Sequence, residues 1–117
     1  MPRVPFRAMA ERILPKGYQL SLCLCGDTLS RRLNRTYRKK QYAPNVLSFP
    51  IAANEGEIFL NVHKAAQEAR KFGIPVRDRT ALLFVHGCFH LLGLKHGATM
   101  ERRERQILKE FGFKAIP

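Results

Sequence analysis

The sequence predicts an α+β domain: a small mixed β-sheet covered by helices, with a central buried helix that carries histidines. Three observations lead there. Five segments show the apolar spacing of helices and three read as strands, in the order helix, strand, helix, two strands, three helices. The segment 78–92 is apolar nearly all round, as a helix enclosed by other elements must be. Gly or Pro stands at most of the junctions between these segments.

Taken in order, Phe6, Met9, Ala10 and Ile13 recur at helical spacing, so a helix is expected over residues 4–14, stopped by Pro15 and Gly17. Residues 18–25 are apolar enough for a strand. Gly26 then breaks the chain, and Asp27 or Thr28 is suited to cap a helix over 28–39. In that helix Leu29, Leu33 and Tyr37 share a face, which places Tyr37 in the core. Pro44 ends the excursion. Residues 46–49 and 57–61 read as two short strands joined around 53–56, as in a hairpin. Val62, Ala65, Ala66, Ala69 and Phe72 mark a helix closed by Gly73 and Pro75. The apolar helix 78–92 follows, broken by Gly93. A last helix is expected from Thr99, a suitable N-cap, to Phe111, with Gly112 at its end.

At 117 residues the chain is expected to form a single domain over 1–117, because a second core would have too few residues. Lys and Arg number 21 against nine Asp and Glu, a formal net charge of +12. On so small a domain that excess points to a polyanionic partner, nucleic acid ahead of an acidic membrane surface. Nothing approaches the roughly 20 apolar residues of a membrane span. Arg3, Arg7, Glu11 and Arg12 interrupt every apolar run that could serve as a signal core. With three cysteines a complete disulfide framework is impossible, and Cys23 and Cys25, two apart in a strand, are poorly placed to join each other. A reducing cytoplasm fits best.

The informative stretch is His86-Gly87-Cys88-Phe89-His90-Leu91-Leu92-Gly93-Leu94-Lys95-His96. On a helix His86 and His90 differ by only about 40° in direction, so both imidazoles project from one face. Gly93 lets the chain leave the helix and turn back, so that His96 approaches the same point. Three neutral imidazoles suit zinc and leave a fourth position for water, the layout of a catalytic rather than a structural metal site. Gly87 occupies the place where a His-Glu-x-x-His metalloprotease carries its glutamate base, so a peptidase loses its main support. Cys88 lies roughly 200° round the helix from the histidines and faces away as a packing thiol. His63 is expected at the surface or at a helix start.

These residues resemble a known family. His86-Gly87, then His90-Leu91, Gly93 and His96 are similar to the His-Gly-x-x-His-Leu-x-Gly-x-Asp-His pattern of the YbeY-type rRNA maturation factors, bacterial metal-dependent endoribonucleases. Leu33-Asn34-Arg35-Thr36-Tyr37-Arg38, Asn45-Val46-Leu47-Ser48-Phe49-Pro50, Gly56-Glu57-Ile58 and the helix 100–112 resemble further blocks of that family, in the same order. The resemblance implies a zincin-like fold of the YbeY type and one zinc ion per chain on His86, His90 and His96. It implies Arg38 as an active-site arginine, and cleavage of single-stranded RNA in ribosomal RNA maturation and ribosome quality control. Two departures stand out. Lys95 replaces the family's Asp before the last histidine, where it would repel the metal or hold a substrate phosphate. The resemblance also starts late, without the family's first strand, which predicts a smaller sheet.

Arg31, Arg32, Arg35, Arg38, Lys39 and Lys40 fall within ten residues, and no acid appears from Thr28 to Asn54. Beside the histidines this reads as a track for an RNA backbone, with salt-dependent binding; Arg38 can clamp a phosphate with its planar fork. Ser48 either lines the cleft or bonds to backbone. The expected activity is therefore that of a monomeric, zinc-dependent endoribonuclease acting on ribosomal RNA and the ribosome. The alternatives are an RNA- or ribosome-binding assembly factor with a weak or inactive metal site, and a metal-dependent hydrolase of peptides or small molecules.

Overall fold

The computed structural model describes residues 3–114. Eight elements follow one another: α1 (Phe6–Ile13), β1 (Gln19–Cys25), α2 (Asp27–Arg38), β2 (Val46–Ala52), β3 (Glu55–Asn61), α3 (Val62–Phe72), α4 (Val76–Leu91) and α5 (Ala98–Glu110). The architecture is α+β, in the expected order. β3 lies between β1, which it pairs in parallel, and β2, which it pairs antiparallel as a hairpin, giving a three-stranded mixed sheet.

The strands obey a period of two. Leu20, Leu22 and Leu24 of β1 face the core beside buried Ile58 and Leu60 of β3. α4 is packed against β2 and β3, and α1, α3 and α5 surround it. Ala81, Leu83, Phe84, Val85, Cys88 and Phe89 are buried around its circumference, and Phe6 of α1 meets Phe84 edge-on at 4.9 Å. Each large apolar side chain buried in this way contributes on the order of 1.5–3 kcal/mol. The apolar run thus becomes the central helix because every side of it has a neighbour.

What sets the depth of α4 is Gly87. A Cβ there would stand 3.0 Å from Ser48 Oγ, 3.2 Å from Ile58 Cδ1 and 3.3 Å from Val46 Cγ2. The helix therefore lies closer to the sheet than a side chain at this position fits without pushing its neighbours back. Ser48 Oγ donates to the Gly87 carbonyl at 2.9 Å across the same gap.

Several expectations are corrected. Tyr37 is 66% exposed instead of in the core, and its ring meets only the edge of Phe49, at 5.4 Å. Its phase with Leu29 and Leu33 is right, but the buried residues of α2 are Ser30 and Asn34, and Tyr37 lies a turn beyond the half-buried Leu33. β2 runs past its expected end through Pro50, which an edge strand tolerates because no outer neighbour needs its N–H. α4 begins at Val76, directly after Pro75. α5 is entered from Gly97 with Thr99 already inside its first turn, so Thr99 is not its cap.

The α2 start is also uncapped by a side chain: its N-cap is Gly26, and Asp27, expected as a cap, is already the first helical residue. Asp27 accepts from Asn61 Nδ2 at 2.8 Å and pairs with His63 Nδ1 at 2.9 Å. The Asn61 hydrogen bond, aided by Lys64 and His63, holds this carboxyl below its ordinary range. Asn61 Oδ1 meanwhile accepts from the His63 and Lys64 amides and caps α3, both at 3.1 Å. His63 thus stands exposed in the first turn of a helix, where the sequence places it.

Replacing Gly87 by Val is expected to lower the unfolding free energy by about 1–3 kcal/mol through overpacking. A lowered urea midpoint with an unchanged slope checks this; an unaltered midpoint means that α4 does not depend on close approach here.

Candidate metal centre

His86 and His90 stand one turn apart on α4, as their spacing requires. The helix is then closed by Gly93 in the left-handed region, φ 85°, while the Leu94 N–H returns to the Phe89 carbonyl at 3.2 Å. This reversal brings His96 back to the same point. His90 Nε2 lies 3.0 Å from His86 Nε2 and 3.2 Å from His96 Nε2. Tetrahedral ligands at about 2.0–2.1 Å from zinc stand about 3.3–3.4 Å apart, so the spacing suits a single ion. The three imidazoles form a group able to hold a metal, with two half-buried rings and one exposed.

A fourth residue completes the arrangement. His86 Nδ1 meets Glu104 Oε2 of α5 at 2.6 Å, and Glu104 is buried. A carboxylate only accepts, so Nδ1–H donates and the lone pair of Nε2 is left facing the other histidines. This contact orients the ring and raises its basicity as a ligand. Burial lowers the pKa of His90 from its ordinary value, and the neighbouring His86 and His96 lower it further. The neutral, ligating form of that ring is thereby favoured at neutral pH. Cys88 points into the core, fully buried, and its thiol is pushed up to about 12 by burial. It is no ligand, as its helical phase predicts.

The three histidines open into a cleft of about 870 Å³, whose wall also includes Arg38, Tyr42, Asn45, Ser48, Lys64 and Glu68. Arg38 is the last residue of α2, so the helix end delivers its guanidinium to the cleft. Ser48 satisfies both of its readings, since it lines the cleft and bonds the Gly87 carbonyl. Glu68 is held by Arg79 Nε at 2.8 Å and by Asn45 Nδ2 at 3.1 Å. Arg31, Arg32, Arg35, Lys39 and Lys40 are exposed but are not part of the cleft wall. Lys95 is likewise exposed beside His96 and outside that wall.

Glu104, Tyr42 and the Asn45–Glu68–Arg79 group do not emerge from the sequence reading. A signal for Glu104 was present. Met100, Glu104, Ile107 and Leu108 fall at helical spacing on one stripe, and an acid on an otherwise apolar stripe needs a buried partner. Tyr42 and Glu68 carry no comparable pattern. For Glu104→Gln a 10- to 100-fold weaker zinc affinity is expected, roughly the range for lost outer-shell partners. Competition with a chromogenic chelator measures it, and an unchanged affinity removes Glu104 from the centre.

Comparison with known proteins bears on this cleft. The family model of endoribonuclease YbeY matches residues 5–112. The endoribonuclease YbeY of Solibacter usitatus is 35% identical over 110 residues, covering 88% of this chain and 75% of the relative. That of Aromatoleum aromaticum is 40% identical over 106 residues, covering 88% and 69%. That of Bordetella petrii is 40% identical over 96 residues, covering 78% and 62%. The chain thus spans between 62% and 75% of the length of these three relatives. The solution structure of TM1509 from Thermotoga maritima has the same fold, with a TM-score of 0.66 over 92% of this chain and 81% of that one, at 20% identity. With residues 5–112 matched by the family model and relatives 35–40% identical over most of the chain, the chain belongs to the endoribonuclease YbeY family.

Proposed function

We propose that this chain is a zinc-dependent endoribonuclease acting on ribosomal RNA in its maturation and in ribosome quality control. The observation that carries the reading is the shared cleft: the imidazole nitrogens of His86 and His96 lie 3.0 and 3.2 Å from His90 Nε2, with Arg38 in the same wall. His86, His90 and His96 would hold one zinc ion. Bound there, the ion supplies Lewis acidity toward a phosphoryl oxygen and acidifies water. Glu104 holds the His86 proton at Nδ1, so that Nε2 stays a lone-pair donor. Arg38 binds the non-bridging phosphate oxygens and neutralises charge that grows on them during displacement. Lys64, paired with Asp27 at 3.8 Å, lines the same wall, while Glu68, engaged by Arg79 and Asn45, is kept from opposing the substrate. The exposed Arg31, Arg32, Arg35, Lys39, Lys40 and Lys95 bind RNA backbone beyond the cleft, consistent with a net charge of +12.

A monomer in the cytoplasm is part of this proposal. It is supported by three free thiols, two of them partly accessible, which suit a reducing compartment. No helix among the described residues is long and apolar enough to cross a membrane.

One observation favours a second reading. Lys95 places a positive charge next to an exposed candidate ligand, His96, which works against a cation there. On that reading the chain is an RNA- or ribosome-binding assembly factor with a weak metal site.

Purified protein incubated with structured ribosomal RNA is expected to cleave it, and chelator or His90→Ala is expected to abolish cleavage. Cleavage that survives both treatments sinks the metal mechanism, and tight binding without cleavage supports the assembly factor. Arg38→Ala is expected to lower kcat/KM by about 10²–10³, the loss typical of one oxyanion-stabilising donor. Single-turnover kinetics checks this, with the zinc content of the variant unchanged.

A further inference from the structure

The cleft contains one group that the chemistry above does not use. Tyr42 is 53% exposed, lines the same wall as the histidines and Arg38, and has no side-chain hydrogen-bond or ring partner among the described residues. An exposed tyrosine is ordinary on a surface. The support beneath this one is not. Its carbonyl accepts from Nδ2 of the fully buried Asn34 at 2.9 Å. Ala43 and Pro44 are buried behind it, and the Pro44 carbonyl accepts from Ser30 Oγ at 2.7 Å and Asn61 Nδ2 at 3.2 Å. Buried polar groups from α2 and from the end of β3 therefore pin the loop, while the ring is left open to solvent. The backbone ordering that binding would otherwise require is already built in, and only the ring has still to settle.

An open aromatic face on a held loop, in the same cleft wall as Arg38, suits one kind of ligand group. The phosphodiester goes to the cationic centre, and the flat π-face attached to the same polymer is a nucleobase. Lys39 and Lys40, separated from Tyr42 by Gln41, add charge for flanking phosphates. We infer that Tyr42 is the base-stacking residue of this cleft, receiving one unpaired nucleobase of the RNA beside the phosphate at the histidine centre. This rests on the reading of the cleft as an RNA site and adds to it a contact with the base, which the phosphate-binding residues do not make. In a paired duplex both faces of a base are already covered by stacking, so only an unpaired or flipped base can take this position.

The test uses the zinc-loaded full chain and a fluorescein-labelled 2′-O-methyl oligoribonucleotide, shown by gel to stay intact. A second oligomer of equal length and charge carries abasic residues in its middle. Fluorescence anisotropy is read for both with wild type, Tyr42→Phe and Tyr42→Leu. The expected result is that Tyr42→Leu binds the base-bearing oligomer roughly tenfold more weakly, in line with the loss of one stacked base. The same variant binds the abasic oligomer as wild type does, and Tyr42→Phe keeps the wild-type pattern. The salt dependence stays the same in all three, because no phosphate contact is lost. Unchanged binding of the base-bearing oligomer by Tyr42→Leu, or equal weakening on both oligomers, overturns the inference and leaves the RNA site standing. Wild type that binds neither oligomer overturns the RNA reading and this inference together.

Discussion

The close approach of α4 to the sheet at Gly87 is the constraint on which the rest of the structure depends. With ordinary Cβ contacts beginning at about 3.4 Å, the 3.0–3.3 Å spacings at this position mean that any side chain must push its neighbours back by a few tenths of an ångström. Bringing the helix this close covers Ile58 of β3 and Val46 and Ser48 of β2, the residues nearest Gly87. It also fixes the rotation of α4 about its own axis. Gly87 and Cys88 face inward, and His86 and His90 are thereby turned toward the rim of the sheet, where the loop after Gly93 can reach them. The residue that removes the protease base is thus the one that seats the helix. Ser48 ties the two together, since its hydroxyl bonds the Gly87 carbonyl on the wall of the cleft.

Charge is distributed on the same logic. The chain has nine acids, and several are spent on internal contacts: Asp27 on Asn61 and His63, Glu68 on Arg79 and Asn45, Asp78 on Arg77 and the Lys114 amide, Glu104 on His86. A buried carboxylate is tolerated only where such partners offset its lost hydration. The consequence is that structural pairing consumes much of the negative charge and leaves the basic side chains of α2 free on the surface. A strongly positive exterior is what a chain that contacts a phosphate polymer requires.

Much of the fold was legible before any coordinates. The element order and the buried character of α4 follow from apolar periodicity, and the hairpin follows from two short strands around a Gly-containing turn. The errors share a cause. Tyr37 has the right phase for the core, yet phase says only which side of a helix a residue lies on, not whether anything lies opposite; beyond Leu33 it meets only Phe49. Thr99 has the right chemistry for a cap, but Gly97, whose φ of 156° few other residues adopt, already supplies the entry to α5. The strand expected over 46–49 continues through Pro50 to Ala52, and the missing N–H costs no ladder bond because β2 is an edge.

The same division runs through the candidate site. The grouping of His86, His90 and His96 is set by local geometry, because one helical turn and a left-handed glycine need no distant neighbour, so the sequence by itself determined it. Family membership is likewise carried by the order of short blocks along the chain. The tertiary structure alone decided that Glu104 reaches His86 from a helix 18 residues away. It also decided that Arg31 and Arg35 stay outside the cleft wall that Arg38, already singled out by the family resemblance, helps to form, and that Tyr42 stands there on a pinned loop. Spacing along one element fixes directions about one axis, whereas contacts between elements depend on how closely they pack, and here that depth is set by a glycine where α4 meets the sheet.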